Sequence, residues 1–284
     1  MDTPANQSIQ IEAPDGTLLS ASTYGAAPYG CVLVHGLGDG AYIWSSLLAR
    51  GHFGSALLPN LRGHGDSAWD PLRRYTRTQY AADLCFMLER VPVRNIVLIG
   101  HSLGADIAIR VTAQMPHLVR ALILVDGGAY MQASASEYIV SQFLAQPRSY
   151  RARDDYASLL ECRLPLAERD ALRALAGLAL RRVSENEWVL KVDPAVGSHL
   201  DAPDDATLAP MLASVRCPIL VARGAFSAMF NRTSIEKIVP LLHDGQLKTI
   251  ARSGHSVMLD NPAALAAEMS SFAPVPATFH RGND

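Results

Sequence analysis

The sequence has 284 residues, of which 49% are hydrophobic and 18% are charged. This length and composition fit one large α/β domain that has a sizeable core and carries an insertion. The 25 basic and 27 acidic side chains leave a formal net charge of -2, so the chain lacks the positive field that nucleic acid or an anionic membrane would require. We therefore expect a small-molecule substrate, no nucleic-acid or membrane partner, and a monomer or homodimer.

Sequence signals for membranes, secretion and metals are all weak. No apolar run approaches the ~20 residues that span a bilayer. Residues 1–10 are polar and lack a basic region followed by an apolar one, so we expect a cytoplasmic protein without a secretory signal. The cysteines lack metal-ligand or redox spacing, so no metal or cofactor is expected. They are predicted to be buried free thiols: Cys31, Cys85, Cys162 and Cys217.

Strand patterns alternate with helix patterns along most of the chain. The first two predicted strands, 8–12 and 18–24, flank a turn signal and predict a hairpin. Later strands are predicted at 31–34, 55–59, 95–99, 119–125, 217–224 and 246–250. The first of these is a short continuous apolar run, which is typical of a strand covered on both faces. Helices are predicted from Trp44, over 78–90, 105–115 and 235–242, and after Asn261. This alternation predicts a mostly parallel, doubly wound sheet.

The strand at 95–99 runs directly into the sequence GHSLG at 100–104, after which a helix pattern begins. A Gly-x-Ser-x-Gly sequence between a strand and a helix predicts a nucleophile elbow. In such an elbow the serine has a strained backbone, and small residues let the neighbouring chain pass. The turn would expose the Ser102 hydroxyl at the sheet edge and aim the first helix amides at it. Ser102 is therefore the candidate nucleophile.

A glycine-rich loop follows the strand at 31–34 and has the sequence HGLGDG at 35–40. It lacks the lysine of a phosphate-binding loop and the glycine spacing of a dinucleotide-binding loop, which argues against phosphate binding. Its backbone amides are instead expected to face Ser102. We predict an oxyanion hole formed by the backbone N–H groups of Leu37 and Leu103.

A polar turn follows the strand at 55–59 and has the sequence RGHGDS at 62–67. These side chains could in principle bind a metal or supply a second catalytic histidine. Glycine-flanked turns of this kind more often form hydrogen bonds within themselves. We predict that Arg62, His64 and Asp66 hold the turn through local hydrogen bonds.

Two residues at later strand ends could activate Ser102. Asp126 follows the buried strand at 119–125, and His255 lies just beyond the strand at 246–250. A serine needs a base within hydrogen-bond reach, and the base needs an anion that fixes its tautomer. We predict that His255 is the base and that Asp126 is the acid.

The alternation of strands and helices breaks between residue 129 and about residue 213. Apolar residues recur at helical spacing in 138–144, 156–160 and 172–180, and residues 187–194 are predicted to be extended. We predict a helical cap at 130–213, inserted after strand six, and a core formed by 1–129 and 214–284. The arginines of the cap are predicted to lie on solvated helix faces beside acidic partners: Arg148, Arg151, Arg153, Arg181 and Arg182.

Four motifs together resemble those of α/β-hydrolase-fold proteins of the capped serine esterase and carbon–carbon hydrolase type. The motifs are His35-Gly36 with Trp44, the sequence at 62–67, the sequence at 100–104, and Gly254-His255 with Pro262. The resemblance covers nearly the whole chain and implies the α/β-hydrolase fold. The chain order Ser, Asp, His is also the order found in this fold.

The chain departs from the family pattern at one place. Most relatives carry the acid after strand seven, as Gly-x-x-Asp, whereas this sequence has Ser227 there. Some members use an aspartate after strand six, which is the position of Asp126. Asp106 would project away from the histidine, and Asp260 is explained by the start of the final helix. If Asp126 is the acid, a Ser227→Asp exchange alone is expected to have little effect.

The resemblance implies hydrolysis of a carboxylic ester, thioester or lactone of a small, largely apolar substrate through an acyl-enzyme. Ser102 excludes the epoxide hydrolases and haloalkane dehalogenases of this fold, which have an aspartate nucleophile. Three alternatives stay open: carbon–carbon bond hydrolysis, cofactor-free oxygenation with His and Asp, and a receptor with slow or no turnover. Turnover of a chromogenic short-chain ester separates the receptor from the enzymes.

Overall fold

An eight-stranded sheet forms the centre of the computed structural model, which describes residues 7–274. In the described chain the strands are β1 Ser8–Glu12, β2 Leu18–Tyr24, β3 Tyr29–Val34, β4 Ala56–Asn60, β5 Val93–His101, β6 Val119–Val125, β7 Ser149–Tyr150, β8 Leu180–Ser184, β9 Glu187–Leu190, β10 Ile219–Gly224 and β11 Gln246–Ile250. The helices are α1 Ser45–Leu48, α2 Arg77–Leu88, α3 Leu103–Gln114, α4 Ala133–Ala145, α5 Arg153–Arg163, α6 Arg169–Ala179, α7 Val196–His199, α8 Asp205–Ser214, α9 Arg232–Ile238, α10 Val257–Asp260 and α11 Pro262–Phe272.

The central sheet has the strand order β1-β2-β4-β3-β5-β6-β10-β11. The strand β2 runs antiparallel to both of its neighbours, and the pairs from β4 to β11 are parallel. All residues of β3 and β4 are buried, as expected for strands covered on both faces. This topology confirms the predicted hairpin and the mostly parallel, doubly wound sheet.

The carboxyl ends of the parallel strands meet at one edge of the sheet. Val34 at the end of β3 lies opposite Gly100 in β5, and His101 lies opposite Val125 at the end of β6. The strand β10 continues the series, because Ala222 pairs with Val125. The loops that leave this edge are therefore neighbours in space, although they are far apart in the sequence.

Two helix starts have side-chain capping groups, and the one at Asn261 was predicted. The side chain of Asp204 accepts hydrogen bonds from the first amides of α8, and the side chain of Asn261 accepts one from Ala264 in α11, where Pro262 is the first helical residue. The helix predicted from Trp44 differs. Residues 41–44 form a 3₁₀ turn that leads into the four-residue helix α1.

The segment predicted to be a cap, residues 130–213 and here called the insertion, contains three strands where one extended stretch was predicted. Helices α4 to α6 cover the three segments with helical spacing, except that Leu180 already belongs to β8. They are joined by a small antiparallel sheet of order β7-β9-β8, in which only β9 falls in the segment predicted to be extended. The strand β8 follows α6 without a break, and β7 has only two residues. The strand β7 is too short to show a period-two pattern, and the sequence of β8, LRRVS, does not alternate apolar and polar residues.

The insertion is tied to the core near the turn at 62–67. The hydroxyl of Tyr75 donates to the carboxylate of Asp193 at 2.5 Å, and the amide of Asp193 donates to the carbonyl oxygen of Gly63 at 2.8 Å. Lys191 forms an ion pair with Asp66 at 2.9 Å. The local role predicted for Asp66 is therefore wrong, because its partner lies in the insertion.

The partners predicted for Arg62 are also wrong. Its guanidinium is fully buried, and it pairs with Asp15, Asp70 and Asp83 instead of with groups of its own turn. The local hydrogen bond predicted for His64 is present, since its Nδ1 lies 3.0 Å from the carbonyl oxygen of Arg62. Burial, the dominant cause, lowers the pKa of His64 to about 4, so its ring is neutral at pH 7.

The five arginines that the sequence analysis named in the insertion do not have the predicted acidic partners. Within residues 7–274, none of the five forms an ion pair. Four of them lie over aromatic rings instead: Arg148 over Phe143, Arg153 and Arg182 over Trp188, and Arg181 over Trp69.

The cysteines are free thiols, but only Cys31 is buried as predicted. Cys85 and Cys217 are half-buried, and Cys162 is exposed on α5. Among residues 7–274 no helix combines the length and the apolar character needed to cross a bilayer.

Candidate active site

Ser102 occupies the sharp turn between β5 and α3. Its backbone has a φ of 53° and a ψ of -116°, a conformation that residues other than glycine rarely adopt. A Cβ on Gly100 would lie 2.2 Å from the carbonyl oxygen of Gly104, and a Cβ on Gly104 would lie 2.3 Å from that of Val34. Neither position has room for a side chain, so the strained turn depends on both glycines.

The loop that carries Leu37 packs directly on this turn. A Cβ on Gly36 would lie 3.2 Å from Cβ of Ser102 and 3.0 Å from Nδ1 of His101. Leu103 is the first residue of α3, where backbone N–H groups have no partner within the helix. The two amides predicted to form an oxyanion hole therefore belong to a loop and a helix start that are in contact.

His35 fixes the same loop to the rest of the core. Its Nε2 accepts a hydrogen bond from the amide of Leu61 at 3.0 Å, and its Nδ1 donates to the carbonyl oxygen of Gly36 at 2.8 Å. Burial and, to a smaller extent, the nearby His64 lower the pKa of His35 to about 3. The ring is therefore neutral, and each nitrogen has a fixed role. Sequence reasoning used His35 only as part of a motif and missed this positioning role.

Asp126 and His255 are hydrogen-bonded to each other. Nδ1 of His255 lies 2.7 Å from Oδ2 of Asp126, which is fully buried at the end of β6. The carboxylate also accepts hydrogen bonds from the amide of Gly224 at 3.0 Å and from the hydroxyl of Ser227 at 2.5 Å. Strands β6, β10 and β11 thus each supply part of this cluster, which stabilises a negative charge against the imidazole.

Ser227 stands where most relatives place the acid, and its hydroxyl contacts the aspartate that the sequence analysis chose instead. Its Oγ donates to Asp126 and accepts a hydrogen bond from the amide of Met229 at 3.1 Å. This contact replaces the expectation that Ser227→Asp alone has little effect with an expectation of lower activity. That exchange would place a second carboxylate against the carboxylate of Asp126, and like charges at this distance cannot both ionise easily.

His101, the residue before Ser102, holds the loop of His255. Its Nε2 donates to the carbonyl oxygen of His255 at 3.0 Å, and the two ring centroids are 4.7 Å apart. Burial and the charge of His255 lower the pKa of His101 well below its usual value, so this ring stays neutral. Sequence reasoning missed this residue, although its place inside the elbow motif was a usable signal.

The two aspartates set aside by the sequence analysis have structural roles. Asp106 pairs with Arg110 at 2.5 Å and with Arg77 at 3.1 Å, away from the histidine as predicted. Asp260 does not start the final helix. It ends α10, and its carboxylate accepts a hydrogen bond from the amide of Gly254 at 2.8 Å, which braces the loop of His255.

The structure therefore brings all the predicted site residues to one edge of the sheet. Within residues 7–274 no hydrogen bond joins the Ser102 hydroxyl to His255, and catalytic hydrogen bonds often close only when substrate is bound. The side chain of His255 is 23% exposed, whereas that of Asp126 is fully buried. With Nδ1 held by Asp126, Nε2 is the nitrogen available to a reacting group.

Comparisons with known proteins agree with this architecture. The model of the Alpha/beta hydrolase family matches residues 31–268, and the chain belongs to this family. Esterase Rv0045c from Mycobacterium tuberculosis is 26% identical over 264 residues, which are 90% of this chain and 86% of that protein. Its crystal structure superposes with a TM-score of 0.77 at 25% identity, covering 95% of this chain and 92% of that chain.

One further relative and one further solved structure have other names. The N-formylmaleamate deformylase of Pseudomonas putida is 26% identical over 261 residues, which are 89% of this chain and 91% of that protein. The crystal structure of E-2-(acetamidomethylene)succinate hydrolase superposes with a TM-score of 0.82 at 22% identity, covering 94% of this chain and 99% of that chain. This structural similarity, at 22% identity, shows a shared fold.

Proposed function

We propose that this protein is a serine hydrolase that cleaves a carboxylic ester of a small, largely apolar substrate through an acyl-enzyme. The observation that carries the proposal is the 2.7 Å hydrogen bond between His255 and the buried Asp126, beside a serine in a strained elbow turn. An imidazole oriented in this way is a general base for an adjacent hydroxyl. The relative named as an esterase supports the ester over other acyl compounds.

In the proposed reaction, Nε2 of His255 takes the proton of the Ser102 hydroxyl while Oγ attacks the substrate carbonyl carbon. The backbone N–H groups of Leu37 and Leu103 stabilise the resulting oxyanion. The tetrahedral intermediate then expels the alcohol, which receives the proton from His255. Water attacks the acyl-enzyme by the same route and releases the acid. Asp126 holds the tautomer of His255 and stabilises its positive charge in both halves of the reaction.

The insertion supplies an apolar wall for such a substrate. Phe143 of α4 packs against the loop at 35–40, because a Cβ on Gly38 would lie 2.9 Å from its ring. Tyr156 of α5 is also buried. Apolar walls of this kind favour an uncharged acyl chain and exclude water from the reacting carbonyl.

The proposal is tested with a fluorophosphonate probe and a series of 4-nitrophenyl esters of increasing acyl length. The probe should label Ser102 and abolish ester turnover in parallel, and Ser102→Ala should lose both. Ser214→Ala, which changes an exposed serine at the end of α8, is the matched control and should keep both. Full activity in Ser102→Ala would rule out the covalent mechanism.

The same variants separate the other chemistries of the fold. A thioester, a lactone, an N-formyl amide and a dienoate dione are tested beside the esters. Faster turnover of the dione than of every ester would replace ester hydrolysis by carbon–carbon cleavage. Probe labelling of Ser102 without turnover of any compound would favour a receptor.

A further inference from the structure

The two oxygen atoms of the Asp126 carboxylate are not equally hydrogen-bonded. Within residues 7–274, Oδ1 accepts one hydrogen bond, from the amide of Gly224 at 3.0 Å. Oδ2 accepts two, from the Ser227 hydroxyl at 2.5 Å and from Nδ1 of His255 at 2.7 Å. The serine and the candidate base therefore share a single oxygen of a fully buried carboxylate.

The Ser227 hydroxyl is held in one direction by the turn that follows β10. The amide of Ser227 donates to the carbonyl oxygen of Gly224 at 3.2 Å, which closes the turn. The Oγ of Ser227 accepts a hydrogen bond from the amide of Met229 at 3.1 Å, so its own hydrogen points to Asp126. The turn thus supplies Asp126 with two donors, the Gly224 amide and the Ser227 hydroxyl, at the place where most relatives carry an acid.

The shared oxygen affects how strongly the Asp126–His255 pair takes up a proton. A hydrogen bond to a carboxylate stabilises its negative charge, and charge stabilised by one donor attracts a second donor less. The effect is large for a buried carboxylate, because little solvent screens it. A proton on His255 is therefore stabilised less by Asp126 when the Ser227 hydrogen bond is present.

Other titratable groups also surround His255. The ring of His101 is neutral, because burial lowers its pKa well below the usual value. The charge of His255 also acts on two carboxyl groups, which belong to α10 and to the loop at 35–40: Asp260 and Asp39. All three groups stay in place when Ser227 is replaced, so a comparison of Ser227 variants isolates the effect of the hydroxyl.

We infer that Ser227 is a positioning residue for the base: through the shared oxygen of Asp126 it weakens proton uptake by His255 and keeps the base free at mildly acidic pH. The inference rests on the proposed function, because a free base matters only if His255 activates Ser102. The enzyme is expected to retain ester turnover at a lower pH than the same site without this hydroxyl.

The test compares Ser227→Ala, which removes the hydroxyl, with Ser227→Thr, which keeps it. For each enzyme, kcat/KM for 4-nitrophenyl butanoate is measured from about pH 4.5 to 8.5, and the acidic limb of the profile reports proton uptake by the essential base of the free enzyme. Its midpoint should rise by about one pH unit in Ser227→Ala, because a hydrogen bond to a charged group typically changes such an equilibrium by about tenfold. In Ser227→Thr the midpoint should return to the wild-type value.

The midpoint separates this role from a merely structural one. Loss of packing alone would lower kcat at every pH and leave the midpoint unchanged. Ser234→Ala is the matched control, because Ser234 is also buried and its hydroxyl also accepts one hydrogen bond, from Gln132, and donates one, to Asn231. This variant should have the wild-type midpoint.

An NMR titration of the His255 ring in the Ser102→Ala background makes the same comparison without turnover. The midpoint should again be higher when Ser227→Ala is added. An unchanged or lower midpoint in Ser227→Ala, by either measurement, or a threonine variant that behaves like the alanine variant, would overturn the inference. Failure of the proposed function looks different, since ester turnover would then not depend on Ser102, while the NMR titration would still decide the role of Ser227.

Discussion

Two buried acidic clusters in this protein differ in how completely their groups are paired. In the first, here called the Arg62 cluster, all three guanidinium nitrogens of Arg62 donate to oxygen atoms of Thr17, Asp15, Asp70 and Asp83. These contacts use the donor capacity of a planar guanidinium almost completely. Nothing in the cluster is left for a ligand, so its role is to hold the core together.

In the second cluster, formed by Asp126, Ser227 and His255, the carboxylate is fully hydrogen-bonded, whereas the histidine uses only one of its two ring nitrogens. The carboxylate is fully buried and has three donors, whereas the histidine is 23% exposed and uses only Nδ1. A base that is oriented on one side and free on the other can move a proton. An incompletely paired buried cluster is therefore the better indicator of chemistry, and mutations in the two clusters can test this difference.

The largest effect is expected for Asp126→Asn on turnover. The amide oxygen of asparagine can still accept from Gly224, but its NH₂ group faces Nδ1 of His255 and favours the wrong tautomer. We expect kcat to fall by about 10⁴-fold, as for the equivalent change in other triads, with little loss of stability. Steady-state turnover of a 4-nitrophenyl ester and denaturant unfolding measure the two quantities.

Asp106→Asn is the control for that variant, since Asp106 is a buried acid whose partners are arginines. It should lower the free energy of unfolding and leave kcat nearly unchanged. A near-normal kcat in Asp126→Asn would show that Asp126 is not the acid or that the enzyme needs none.

The opposite pattern is expected for Arg62→Met. Removing the guanidinium leaves Asp83 buried without its cation and leaves Asp70 with Arg74 alone, which should lower the free energy of unfolding by about 3–5 kcal/mol. At low temperature, where the variant stays folded, kcat should remain close to that of the wild type. Arg169→Met removes an exposed ion pair of 3.7 Å and should cost less than about 1 kcal/mol.

Acid unfolding provides a second test of the role of the Arg62 cluster. Burial raises the pKa of Asp15, but hydrogen bonds from Arg62 and Thr17 outweigh it and lower the pKa from 3.8 to about 2. A lowered pKa stabilises the fold above the usual value, and this contribution is lost as the pH falls through about 2. Between pH 4 and 2 the wild type should therefore lose more stability than Arg62→Met. Equal losses would show that Arg62 does not stabilise the charge of Asp15.

The two clusters were also unequally predictable from the sequence. Ser102 could be predicted because it lies inside a motif of five residues. In this turn a Cβ on either glycine of the motif would lie less than 3 Å from backbone atoms, so the glycines are required. The partners of Arg62 could not be predicted, because its nearest acid in the sequence, Asp66, pairs with Lys191. The role of Ser227 was missed for the same reason. Its contact with Asp126 spans 101 residues and exists only because β6 and β10 are neighbours.

A smaller effect is expected when the acid is moved from β6 to β10. In the double variant Asp126→Asn with Ser227→Asp, the new carboxylate starts from a residue whose Oγ lies 2.5 Å from the oxygen that holds His255. It can therefore reach Nδ1 from the neighbouring strand end, as the acid does in most relatives. We expect kcat to recover by about ten- to a hundredfold over Asp126→Asn, the coupling typical of residues in one hydrogen-bond network. Ser227→Asp alone should be less active than the wild type, because two carboxylates then compete for one histidine. If the double variant is no more active than Asp126→Asn, a carboxylate at the end of β10 cannot orient His255. Only the acid at the end of β6 would then do so.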